Sequence, residues 1–289
     1  MLGRFADVAS LSPPGRAGTP DAVREYLEAG QGEYAGVLGL FVCQASRLPE
    51  LITELIKVRP EQPLPLSLSI DTDLGGLAKA VSISESRADL LSLRMVEAPA
   101  PPDVDDVWLE RIAEFIPEDV VRVVEPRGGG HKWLDSVRRV AEHGSWPKLR
   151  CGRLRDDSSL SVEEVASFLD VIISLNGASF KATGGLNRAV RHTDPETGAT
   201  HHGFLNLLIA TARTLSGDDV REALAATDGR ALADEAAALS EQAQHAVRGI
   251  FASCAWSSFA EGVEDLMRLG LYAPRVSYGN ESTGGAAGA

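Results

Sequence analysis

The residues with the most chemistry to offer fall where short apolar runs end. In chain order they are Cys43, Asp71, Glu97, Glu125, the pair Lys148 and Arg150, Lys181, and the pair Ser253 and Cys254. Three acids are followed by two amines at consecutive strand-like ends. One charge at the end of one strand is ordinary surface, but five in succession turned into a single mouth would make a polar site. Lys181 is the sharpest of them. It sits in Ser179-Phe180-Lys181-Ala182-Thr183-Gly184-Gly185-Leu186, and a lysine inside a short apolar strand is costly unless it is paired or faces a cavity. Desolvation and neighbouring cations would lower its pKa and free an amine for imine formation or proton transfer. Gly184 and Gly185 would let backbone N–H donors approach an anionic group. Strand alternation puts Lys148 and Arg150 on one face, a cationic pair suited to a phosphate or carboxylate. Glu125 or Glu97 would then shuttle protons.

The run Lys181-Ala182-Thr183-Gly184-Gly185 resembles the Lys-Ala-Ser-Gly-Gly strand end of class I aldolases of the deoxyribose-phosphate type. The resemblance covers about eight residues of 289. It implies a (β/α)8 barrel in which Lys181 assists a second lysine, the imine former, on the preceding strand. Lys148 is the candidate there. It departs from the family's Lys-Thr-Ser pattern, since this chain reads Pro147-Lys148-Leu149-Arg150-Cys151-Gly152. More broadly, the chain resembles an uncharacterised bacterial family of barrel proteins.

Charge distribution points to an anionic ligand. Residues 147–192 hold seven bases against five acids, a local excess of two, while the whole chain carries 28 Lys and Arg against 41 Asp and Glu, a net charge of −13. A cationic region in an acidic chain can focus a small anion. The same excess of acid argues against nucleic acid as a partner, because a phosphate backbone would repel it.

Asp71, Glu97 and Glu125 also admit a second mechanism. Carboxylates on successive strands can hold Mg²⁺ through oxygen, with the lysines beyond them as acid and base, as in enolase-like lyases and isomerases; the primary reading uses no cofactor. A third reading, from a different class, is a non-catalytic barrel that binds a small ligand or presents its helices to a protein partner, with the glutamates and lysines merely neutralising each other. Asn206, one turn into a helix, is a candidate hydrogen-bonding residue, and Ser253 would add a hydroxyl. His192, His201 and His202 flank a turn-rich loop that reads as a lid. No GxSxG elbow or P-loop occurs.

Positioning these residues requires a particular set of elements. Strand-like runs at Gly36–Cys43, Leu64–Ile70, Leu90–Val96, Val120–Val124, Lys148–Cys151, Ala178–Ala182 and Gly249–Ser253 alternate with helical segments. The helix over Ser161–Leu175 is marked by a Ser161/Glu164 capping box. Continuous apolar strands between amphipathic helices indicate a parallel sheet covered on both faces. Seven strands predict a (β/α)8 barrel with one strand irregular or hidden, for which the stretch Asp228–His245 is the candidate; a doubly wound sheet is the alternative. Residues 1–19, rich in Pro, Gly and Ser, read as a flexible arm, 20–279 as one domain, and 280–289 as a flexible tail. No apolar run approaches the ~18 residues of a membrane span. No signal sequence stands out, and the three widely spaced cysteines do not form a disulfide framework. The expectation is a cytoplasmic lyase or isomerase acting on a small anionic carbonyl metabolite, with a homo-oligomer among the candidate assemblies.

Overall fold

In the computed structural model, described for residues 1–12, 17–127, 130–152 and 159–272, the strands close into a ring. The first half runs β1 (Ala6–Val8), α1 (Thr19–Gln31), β2 (Leu38–Gln44), α2 (Leu48–Val58), β3 (Leu64–Ser69), α3 (Leu74–Ser86), β4 (Leu91–Pro99) and α4 (Asp106–Glu114). There follow β5 (Val121–Glu125), α5 (Gly130–Glu142), β6 (Trp146–Arg150), α6 (Val162–Ser174) and β7 (Phe180–Thr183). A small hairpin of β8 (His192–Thr193) and β9 (Thr200–His201) precedes α7 (Phe204–Ser216), α8 (Val220–Ala225), α9 (Gly229–Ala238) and α10 (Glu241–Ile250). The chain then returns through β10 (Phe251–Trp256) and α11 (Phe259–Arg268). The barrel order is β1-β10-β7-β6-β5-β4-β3-β2, closed and parallel throughout. This is the (β/α)8 architecture that the alternation of runs predicts, and closure rules out the open sheet.

The eighth strand is not in the stretch Asp228–His245, which folds into α9 and α10. It is β1, inside the segment expected to be an arm. Leu2, Phe5, Ala6, Val8, Ala9 and Leu11 are all buried, and β1 pairs with β2 on one side and β10 on the other. Three residues with an aspartate in the middle break the apolar run that marks a buried strand. The segment 280–289, expected to be a tail, lies outside the described residues.

Alternation along each strand divides the chain into two environments. In β7, Phe180 and Ala182 face the helices, where Phe180 stacks on Phe251 and meets Phe168 edge-on. Lys181, between them, points into the lumen, as its bonds to β1 and β4 across the ring require. Leu66 and Leu68 of β3 join the outer core while Ser67 turns inward. The capping box at Ser161 and Glu164 forms as expected. Cys43, Cys151 and Cys254 are free thiols buried in the outer core. Among the described residues no helix is long and apolar enough to cross a membrane.

Candidate active site

The lumen holds a chain of charges alternating in sign. Lys181 Nζ donates to Asp7 Oδ2 at 2.5 Å and to Glu97 Oε1 at 2.8 Å, with Met95 Sδ at 3.5 Å. The other oxygen of Glu97 receives Lys148 Nζ at 2.8 Å. Lys148 also reaches Glu125 Oε2 at 3.3 Å, and Arg150 grips Glu125 with two parallel bonds of 2.6 and 2.8 Å. The order is Asp7, Lys181, Glu97, Lys148, Glu125, Arg150, crossing β1, β7, β4, β6 and β5. Side-chain exposure rises along it, from 0% at Lys181 through 9% at Lys148 to 27% at Arg150. The chain thus climbs from the sealed interior toward the carboxyl ends of the strands, where barrel enzymes hold their reactive groups.

Register accounts for this convergence. Lys148 and Lys181 are direct partners across β6 and β7, so their side chains leave the sheet on the same face. Glu97 lies opposite on β4, level with Val123, one alternation below the Glu125 that ends β5. Ser67 Oγ donates to Glu97 Oε1 at 2.5 Å, and the Leu40 N–H donates to Asp7 Oδ1 at 2.7 Å, so each buried carboxylate has a neutral donor besides its lysines. Bare burial of such charges would be prohibitive; their mutual pairing and added hydrogen bonds offset it.

The electrostatics reverse one expectation. Lys181 was expected to lose its proton readily. Burial does push its amine down, but Asp7 and Glu97 outweigh burial and hold the ammonium above its ordinary range. Lys148 and Arg150, expected to depress it, are instead occupied by Glu97 and Glu125. For Glu97, burial raises the carboxyl, and Lys148 and Lys181 more than reverse this, leaving it well below the usual carboxylate range. Glu125 is held low in the same way by Lys148 and Arg150 against burial.

The remaining candidates are placed as follows. Asp71 is exposed and caps the turn after β2, accepting from Ser46 N at 3.0 Å and Ser46 Oγ at 2.5 Å. It does not join Glu97 and Glu125. Among the described residues no three His, Cys, Asp or Glu side chains form a group able to hold a metal, and the oxygens of Glu97 and Glu125 already face cations. Asp71, Glu97 and Glu125 therefore do not come together as the three-carboxylate set considered above. Asn206 is fully buried and spends all its polar reach on backbone: its amide donates to Ala223 O and Ala226 O, and its oxygen accepts from Arg191 N. It ties α7 to its neighbours rather than facing a ligand. Gly184 and Gly185 follow β7 with φ of +84° and +74°. A Cβ on Gly184 would lie 2.9 Å from the Gly152 backbone, and one on Gly185 2.7 Å from His201 Nδ1; the pair is small because β6 and the hairpin approach it closely. The segment expected to form a lid is that hairpin, with the His192 and His201 rings 5.5 Å apart. His202 is buried against Leu160 O and Arg191.

Ser253 is the partner of Lys181 in the register of β10 and β7 and shares its luminal face. Among the described residues its Oγ has no hydrogen-bond partner, and neither have Ser10 Oγ after β1 and Gln44 Oε1 at the end of β2. The neighbouring strands β10, β1 and β2 also carry a separate small apolar cluster of Ala255, Ala9 and Val42. A wall of small residues with unpaired polar atoms thus stands across from the ionic wall of β4 to β7.

Asp7, Ser67 and Met95 were not foreseen. The signal for Asp7 was present: Phe5-Ala6-Asp7-Val8-Ala9 sets an acid inside an apolar run as Phe180-Lys181-Ala182 sets a base. Compared with known proteins, the chain matches no family model and no curated sequence.

Proposed function

We propose that this barrel is an enzyme for a small carbonyl metabolite bearing an anionic group, and that Lys148 is its reactive amine. The carrying observation is the sharing of Glu97 between two lysines at 2.8 Å each, one sealed in the interior and one at the base of the mouth. Lys181 keeps Glu97 ionised and fixed. Glu97 and Glu125 orient Lys148, whose ammonium gives its proton to water at the mouth before attack. Attack of the neutral amine on the substrate carbonyl forms a C–N bond. Loss of the carbonyl oxygen as water leaves an iminium. Removal of an α-proton, or cleavage of an adjacent C–C bond, turns the iminium into an enamine. Aldol cleavage, isomerisation and dehydration share that intermediate, and the fold does not choose among them. Arg150 is the anchor for the anionic group, exchanging one of its bonds to Glu125 for the substrate. Ser253, Ser10 and Gln44 supply the unpaired polar atoms that substrate oxygens would satisfy.

A second reading is favoured by one observation: every charge in the luminal chain already has a partner of opposite sign. On that reading the chain is a structural plug in a non-catalytic barrel. The two separate on incubation with pyruvate, dihydroxyacetone phosphate or glyceraldehyde 3-phosphate under borohydride, which adds hydride to the iminium carbon and fixes a secondary amine. Peptide mapping should find the adduct on Lys148 and lose it in Lys148→Arg. Adducts confined to surface lysines such as Lys57 and Lys132, equal in both proteins, would leave the plug as the answer.

A further inference from the structure

A polar cavity of about 540 Å³ opens at the end of the barrel away from the mouth, around the amino ends of β2, β3 and β4 and the residues just before β1. Its described lining includes two arginines, Arg4 and Arg94, with Gln62, Ser92 and the Gly39–Leu40 backbone, and no acid. Both arginine side chains are exposed and neither makes an ion pair or hydrogen bond with a described residue. In a chain of net charge −13, two unpaired guanidiniums in one cavity are a local reversal of the field.

Three departures from regular backbone geometry meet at this cavity. Arg4 has φ of +50°, in the left-handed region that a residue with a Cβ seldom occupies, and its N–H is tied to Gly36 O at 2.8 Å. On β4, Leu93 pairs with Leu66 and Met95 with Ser67, so Arg94 is the extra residue of a bulge. On β2, Gly39 and Leu40 together stand opposite Asp7, because Leu38 pairs with Ala6 and Phe41 with Val8. A bulge re-aims side chains, and bulges gather at barrel rims beside functional sites. Here two of them, with one strained residue, set both guanidiniums on a single concavity.

We propose that this amino-terminal cavity binds a small phosphate ester, with Arg4 and Arg94 as its two cationic contacts. A phosphate dianion matches their combined charge, and the planar guanidinium fork suits its oxygens. Gln62 and Ser92 offer neutral donors, and the volume leaves space for an organic group beyond the phosphate. The site is independent of the lysine chemistry above and lies on the opposite side of Asp7 from the mouth.

Calorimetric titration of the full chain with inorganic pyrophosphate tests it. One saturable site is expected, weakening as NaCl is raised. Arg94→Gln should lower the affinity roughly tenfold or more, the loss of one charge-assisted contact. Arg4→Gly is the more telling variant, since glycine accepts the left-handed φ without strain. It should weaken binding to a similar degree while the melting temperature holds or rises, which a folding defect would not produce. Absence of saturable binding overturns the proposal. So does binding that survives both substitutions, or binding lost in Arg150→Gln instead, which would put the anion at the mouth.

Discussion

Removing the Lys181 ammonium would leave Asp7 and Glu97 facing each other in a sealed lumen. Breaking a buried ion pair from one side costs roughly 3–5 kcal/mol, because the surviving charge stays desolvated. Lys181→Met should therefore lower unfolding free energy by about that much in urea titrations, far beyond the change for an exposed lysine such as Lys57. A loss below about 1 kcal/mol would mean that the carboxylates find other partners. At this scale the sequence was partly legible. Glu97, Glu125, Lys148, Arg150 and Lys181 announced themselves as charges at strand ends, and they converge. Asp71 had the same signature and does not, because it is recruited by Ser46 in the turn after the neighbouring strand β2. A strand-end acid looks alike in sequence whether it bonds across the ring or to a neighbouring loop. Asp7 was invisible for the opposite reason: its partner Lys181 lies 174 residues away. The direction of the Lys181 shift followed from that omission, since the second acid was missing from the account.

Elements were easier to read than their seam. Seven strands show as apolar runs because both faces of a parallel barrel strand are covered. β1 does not, because its middle residue is charged and its stability comes from pairing on both edges rather than from length. The same seam is tightly packed. A Cβ on Gly39 would fall 2.3 Å from Asp7 Oδ1 and 3.0 Å from the Ala6 backbone. Gly39→Ala must displace the carboxylate from Lys181 or push β1 away from β2. It should destabilise by about 1–3 kcal/mol, the usual penalty for overpacking. The matching readout is spectroscopic: amide signals of Leu40 and Ala6 should shift most. A fully neutral Gly39→Ala would show that β1 is held more loosely than its burial implies.

For the molecule as a whole, the luminal charges set the pH range of stability. Glu97 and Glu125 are held below the ordinary 4.5 of a glutamate, so their contribution is present above that value and is lost as pH falls below it. Lys181 is held above the ordinary 10.5 of a lysine; its contribution is complete below that value and is lost as pH climbs past it. The contribution of these luminal charges should thus be level between these limits and fall on both sides. Urea titrations from pH 6 to pH 3 that gave an unchanged free energy would contradict the ion pairing described for Glu97. The ring also has a consequence for the order of events at the ribosome. Of the barrel strands described, β1 comes first along the chain, yet one of its two neighbours, β10, comes last. Until Trp256 has left the exit tunnel the nascent protein is an open sheet without an inside, and the aspartate and the ammonium at its two margins still stand in water. Their dehydration belongs to the step that shuts the ring, so closing the barrel and assembling the luminal chain of charges are a single event.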